Sequence, residues 1–396
     1  MKNFWTLFGY EMKKIWKRKL AWEIIALAAG FCVYMELTSL GSSHAGATFT
    51  FVDKNGIEIS QYLSAREQNE RTLEGSRLLD GQVMDEDFFR DMRESIPSAE
   101  TYYELESYFL LIDPRYRDYC YFRGAWPQTA DEFYDLVQEI DELSLEKLSG
   151  REQAYWAARA TRIERPYVYR DITGVRRIVE LMGNSGVPAL LPLLVGVCLC
   201  GLFSQECHSR MDALIFSTGR GRFPLYLAKT LAGAFSALAV TALAAGAAIG
   251  ANLLVYGVWG FDGAIQMFAW LNSTLWPITM GQAVVILLLL ALAYALVCCG
   301  VTALVSVWSG SSVAALTASV GLLFLALWSR GAAVRFGDYL PGQLVDYTVF
   351  LNTDLTSVFG VQLNQVQSGF LLYLLIAVIL FALCWLGWRR SAAGRA

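Results

Sequence analysis

Six apolar runs divide this 396-residue chain, each close to the roughly 20 residues that an α-helix needs to cross a bilayer. They predict an α-helical polytopic membrane protein with six transmembrane helices. The first span covers residues 20–40 and the second 187–204. Spans three to five fall within 225–328, as Leu225 to about Val258, Ile278 to Val305 and Val313 to Trp328. The sixth covers 369–388. Residues 329–368 are apolar at Tyr339-Leu-Pro341, Tyr347, Phe350 and Phe359, which suits an external region of re-entrant half-helices.

The polar stretches have their own periods. In residues 1–19, Phe4, Trp5, Phe8, Met12, Ile15 and Trp16 recur at helical spacing while Lys13, Lys14, Lys17 and Arg18 fall elsewhere on the wheel. That is the pattern of an amphipathic helix on the cytoplasmic membrane surface; Glu11, near the stripe, runs against it. From 41 to 186 the chain reads as a large, mostly helical external domain between the first two spans. It opens with an alternating stretch, Ala47 to Ile59, around Asn55-Gly56, the signature of a small hairpin. Ser98 to Ile112 reads as a helix that stops before Asp113-Pro114. Thr129-Ala-Asp-Glu132 is a capping pattern ahead of the apolar face Phe133, Leu136, Val137, Ile140 and Leu143.

Charge orients these elements. The net charge is −4, but residues 42–186 hold 17 basic and 27 acidic residues, net −10, and the remainder is net +6. Basic residues collect beside the spans at the amino end, in the 205–224 loop and in the 389–396 tail, where Arg389-Arg390 follow the last span. The positive-inside rule then makes both termini and the loop cytoplasmic. With 55% hydrophobic residues the chain exceeds an ordinary soluble domain. Seven of eight cysteines lie in or beside apolar runs, and Cys120 alone falls in the external block, so no disulfide inside that domain is expected. The first run is interrupted by Glu23 and Glu36 and lacks a small-x-small site at its end, so it is expected to stay as a span. Glu23, four residues after Lys19, reads as an interfacial carboxylate partnered by that lysine. The third span is rich in small residues, among them Gly233, Ala237, Gly246 and Gly250, which permit close helix approach.

Several chemistries are missing. No phosphate-binding G-x-x-x-x-G-K-[ST] loop occurs, so the chain does not bind ATP in that mode itself. There is no H-E-x-x-H, and the two histidines, His44 and His208, fall on opposite sides of the membrane, against both a His metal site and a Ser/His/Asp triad. Neither an enzymatic site nor a bound cofactor is expected in the chain itself.

The candidate functional segment is the cytoplasmic loop. It offers Glu206, Arg210, Asp212, Ser217, Thr218, Arg220 and Arg222 to a partner, while Leu214, Ile215 and Phe216 can bury. Here, through Glu206, Leu214-Ile215, Ser217-Thr218, Gly219-Arg220-Gly221-Arg222 and Lys229-Thr-Leu-Ala, the chain resembles the permease subunits of type-2 ABC transporters, the exporter class with six spans. Met211-Asp212 stand where that family usually carries glycine. The resemblance covers the chain apart from residues 42–185. It implies a coupling helix in the 205–222 loop that docks on a cytoplasmic ABC ATPase subunit, ATP and Mg bound by that partner, and a second permease chain as homo- or heterodimer. The place would be the bacterial plasma membrane, and the external insertion would serve gating, peptide capture or envelope contact. Two other classes are open: an envelope sensor or scaffold whose acidic external domain binds a ligand or partner, and a proton-coupled carrier using Glu23 or Glu36. The substrate is not legible in these residues.

Overall fold

The computed structural model describes residues 2–42, 47–52, 58–63, 77, 80–95, 129–183, 187–205, 222–329 and 336–393. The chain is mostly helical, and three of its helices are long and apolar enough to cross a membrane: Phe223–Tyr256, Met280–Ser309 and Gln365–Arg390. Two shorter apolar helices, Pro188–Leu199 and Ser312–Trp328, accompany them.

The amino end forms two consecutive helices, α1 (Lys2–Trp16) and α2 (Lys19–Ser42). After the insertion come α7 (Val187–Leu199), α8 (Arg222–Tyr256), α9 (Met280–Ser309), α10 (Ser312–Trp328) and α12 (Gln365–Ala393). Helix α9 is the axis of the bundle, packed by α7, α8, α10 and α12, while α1 and α2 lie against α8. Leu287, Leu290, Ala291, Tyr294, Ala295, Cys298 and Cys299 of α9 are all buried. Small residues set the close crossings: a Cβ at Gly300 would meet Leu380 Cβ of α12 at 2.9 Å. In α8 the expectation holds for Gly233, which faces Leu202, but Gly246 and Gly250 face open space.

Helix α7 ends at Leu199 rather than continuing to 204. Residues 200–203 turn there, with Gly201 lying under the Arg18 guanidinium, where a Cβ would come within 2.6 Å of Nη2. Glu23 is exposed and forms no ion pair with Lys19 among the described residues. A lysine placed before a glutamate on a helix is the less favourable order, since the helix dipole opposes it.

Opposite the end that holds α1, the insertion forms a cap. Its hairpin pairs β1 (Ala47–Val52) with β2 (Glu58–Leu63) in antiparallel register, as the alternation predicted. The Ser98–Ile112 segment lies outside the described residues. The cap core comes from α3 (Glu86–Ser95) and α4 (Ala130–Glu146), whose Thr129 Oγ1 accepts the Glu132 amide at 3.2 Å. Met84, Phe88, Phe89, Phe133, Val137, Tyr167 and Tyr169 cluster there, closed by Met267 from the α8–α9 link. Arg170 reaches Asp262 of the same link at 2.9 Å. Gly260 has φ +76°, and a Cβ there would fall 2.2 Å from Asp171 O, so the link passes where only glycine fits.

Two further helices complete the cap, α5 (Gly150–Ala160) and α6 (Thr173–Met182). Trp156 of α5 is fully buried and donates through Nε1 to Thr353 O at 2.7 Å. Its ring lies 5.5 Å from Trp276, which lies 5.6 Å from Phe350. Trp276 is thus a core residue of the cap, 6% exposed, although a tryptophan beside a membrane span more often sits at the membrane interface; Trp270 is 65% exposed. In the 336–364 region the expected half-helices are short turns, including α11 (Pro341–Leu344), followed by a second hairpin, β3 (Leu355–Val358) with β4 (Val361–Asn364), that leads straight into α12.

Tyr134 ties the cap core together: its hydroxyl donates to Met84 O at 2.9 Å and accepts the Tyr167 amide at 2.7 Å. Burial pushes its pKa up to about 12 from the ordinary 10.0. The folded phenol then holds its proton where the unfolded one loses it, so cap stability falls as pH rises above 10 and levels off past about 12. Tyr134→Phe should cost roughly 1–3 kcal/mol by leaving the buried Tyr167 amide without its acceptor, and should reduce this alkaline loss. Thermal unfolding across that pH range, with tyrosinate absorbance as a second readout, checks both; an unchanged alkaline slope in Tyr134→Phe would assign it to another group.

Candidate functional site at the root of the 206–221 segment

Of the loop residues singled out from sequence, Glu206, Arg210, Asp212, Ser217, Thr218 and Arg220 lie outside the described residues, and Arg222 is the first residue of α8. What is described is the root of that loop, Gln205 on one side and the first turns of α8 on the other. Both are held by the amino-terminal helix.

Helix α1 lays its apolar stripe on α8. Ile15 is 3% exposed, Leu7, Phe8, Met12 and Trp16 pack partly buried on the same core, and Ser236 Oγ of α8 donates to Met12 Sδ at 3.6 Å. Trp5 is the exception among the expected stripe residues, 65% exposed and stacked by its edge against Phe8. Glu11 falls between Phe8, Met12 and Ile15 at helical spacing, so its side chain is carried into the contact.

There it meets Lys229. Lys229 Nζ lies 3.1 Å from Glu11 Oε2 and donates to Leu202 O at 2.8 Å, while Glu11 Oε1 accepts from Lys14 Nζ at 2.7 Å. The two buried side chains are only 1% and 4% exposed. Nζ also sits 5.6 Å above the Phe203 ring, a cation–π contact that gains strength where water is excluded. An ammonium taken out of water costs several kcal/mol, and here a carboxylate, a carbonyl and an aromatic face offset that cost together. The Leu202 carbonyl lies in the turn that follows the end of α7 at Leu199.

A second bond and an aromatic ring complete the root. Arg18 Nη2 donates to Gln205 Oε1 at 2.8 Å, so the hinge between α1 and α2 grips the residue just before the loop. Phe203 lies 6.1 Å from Tyr226 and 5.4 Å from Trp388, and the Tyr226 hydroxyl donates to Phe381 O. The Ser204 amide donates to Ser306 Oγ of α9 at 3.1 Å. Five helices therefore converge on the loop root: α1, α7, α8, α9 and α12. Among the described residues no group of three or more His, Cys, Asp or Glu is placed to hold a metal ion.

Sequence reasoning passed over both members of the buried pair. Glu11 reads only as a residue that runs against an apolar stripe, and Lys229 enters only in the Lys229-Thr-Leu-Ala match at the third span's entrance. Two opposite charges, each on an otherwise apolar face, were the available signal. No family model, no curated protein and no solved structure matches the chain.

Glu11→Leu should lower stability by about 3–5 kcal/mol, because it takes the Glu11 carboxylate from a buried ammonium, and Lys229→Met by less, because Glu11 keeps Lys14. The Glu11→Leu/Lys229→Met pair should regain most of that loss. Thermal unfolding of the purified protein in detergent, followed by tryptophan fluorescence, measures the cycle; strictly additive losses in the double variant would mean that the two side chains do not act as a pair.

Proposed function

We propose that this chain is the membrane-spanning permease subunit of an ATP-driven ABC exporter. In this reading α2, α7, α8, α9, α10 and α12 are the six crossings, both termini and the 205–224 loop face the cytoplasm of a bacterium, and the cap stands outside. A cytoplasmic ABC ATPase subunit binds ATP and Mg, and docks on Glu206, Arg210, Asp212, Ser217, Thr218, Arg220 and Arg222. A second permease chain completes the pathway.

The observation that carries the reading is the fastening of the loop root. A loop that only obeyed the positive-inside rule would gain nothing from a buried Glu11–Lys229 pair and an Arg18–Gln205 bond at its base. A loop that must pass displacement from a soluble motor into the bundle needs that stiffness, since slack at its root would absorb the motion. Exposed aromatic residues at both ends of the helices, Trp22 and Trp308 at the loop end and Trp259 and Trp328 at the cap end, fit a bilayer between them.

Purification of the tagged chain in mild detergent should recover an ABC ATPase in stoichiometric amount, identified by mass spectrometry. Arg220→Ala/Arg222→Ala should insert normally and lose ATPase assembly or stimulated turnover. Normal stimulated turnover in that variant would remove the assigned role of the loop, and repeated absence of an ATPase with the chain intact would favour an envelope sensor or scaffold.

A further inference from the structure

Helix α6 carries two adjacent arginines and a single glutamate. It packs through Val175, Ile178, Val179 and Met182, all buried, against α8 and α9. Its start abuts the end of α8: a Cβ at Gly174 would fall 2.8 Å from Tyr256 Cβ. Its end, Met182, lies five residues before Val187, where α7 begins. So α6 sits across the cap end of the apolar helices, at the depth where one of them stops and another starts.

Arg176 and Arg177 share Glu180. Arg177 Nη1 donates to Glu180 Oε2 at 3.2 Å, while Arg176 Nε stands 3.8 Å from Oε1, too far for a hydrogen bond. The Nε atoms of both arginines are buried and have no hydrogen-bond partner among the described residues. The neighbouring acid, Asp171, is itself 4% exposed and accepts the Thr173 amide. Arg170 is taken by Asp80 and Asp262. Burial, only partly countered by Glu180, lowers the Arg176 pKa from its ordinary value. The two guanidiniums share the Glu180 carboxylate, with the Asp171 charge also acting on Arg176, and both side chains keep about 30% of their surface open, at 31% and 29%. A buried donor without an acceptor is rare enough to call for a ligand, an ion or water.

We propose that Arg176 and Arg177 bind an anionic phosphate group at the cap end of the membrane helices. A guanidinium fork matches phosphate oxygens two at a time, and its weak hydration suits a half-buried site. The phosphate comes either from an anionic lipid headgroup at the bilayer surface or from a soluble anion. The proposal is independent of the ATPase reading, because it uses only α6 and the ends of α7 and α8.

The test titrates the detergent-purified full chain with phosphatidylglycerol, with zwitterionic phosphatidylcholine and with inorganic phosphate, reading apparent affinity from the thermal midpoint. Phosphatidylglycerol should raise the midpoint and phosphatidylcholine should not; a matching rise with inorganic phosphate identifies a soluble anion as sufficient, and its absence identifies the lipid headgroup. Arg176→Gln/Arg177→Gln should weaken the response about tenfold or more, and Glu180→Gln, which frees both guanidiniums from their competitor, should strengthen it by a similar factor. Glu180→Gln keeps the test decisive if the arginine variant does not fold. No anion response in the wild type, or equal responses in wild type and Glu180→Gln, overturns the proposal.

Discussion

The buried contact between Glu11 and Lys229 is the constraint on which the loop end of this protein depends. The carboxylate comes from a helix that lies against the bundle, the ammonium from a helix that runs through it, and the carbonyl at Leu202 from a third that has just ended. None of these segments can shift alone without uncovering a charge in a dry site, at a cost of several kcal/mol. The pair therefore does more than hold α1 in place. It makes α1, the end of α7 and the start of α8 move together, with Arg18 extending the grip to Gln205.

The cap end is held by a different kind of contact. There three stretches far apart in sequence meet around Trp156: α5 itself, the α8–α9 link through Trp276, and the segment before α12 through Phe350 and the Thr353 carbonyl. Arg159 lies over this group, 4.5 Å from the Tyr155 ring. Aromatic area and one indole hydrogen bond fix the geometry, with no buried ion pair needed. A polar clasp at one end and an aromatic clasp at the other leave the middle of the bundle to small residues, where Gly196 faces Ser319 and Gly300 faces Leu380. Van der Waals packing of that sort tolerates sliding better than either clasp does.

Much of this fold was legible because membrane helices announce themselves by length and hydropathy. The Asn55-Gly56 turn and the alternation around it foretold β1 pairing with β2, and Thr129 foretold the start of α4. The misses have physical reasons. Trp276, beside a span, reads as an interfacial anchor from sequence, and only the long-range arrival of Trp156 buries it. The β3–β4 hairpin has four-residue strands and turns through Phe359 at φ +50° and Gly360 at φ +85°, where Asn-Gly would have been the visible signal. Glu11 looked like a defect because its partner lies 218 residues away. The loop residues chosen as the functional site were read from local pattern and a family resemblance, whereas the residues that brace the loop are fixed by tertiary contact.

Helix α8 joins these two ends. Its 34-residue stretch Phe223–Tyr256 extends about 51 Å at 1.5 Å per residue, well beyond the roughly 30 Å hydrocarbon core. Near its start it carries Lys229 in the polar clasp, and at its finish Tyr256 presses on Gly174 at the head of α6. One continuous helix thus connects the loop root to α6, and α6 is joined to the cap through Arg170 and Asp171, which reach Asp262 and Asp80. The glycines at 246 and 250 sit in the last third of that helix and face open space. Each lowers helix stability by about 1 kcal/mol relative to alanine with no packing gain to offset it, so the helix bends there more readily than near Lys229.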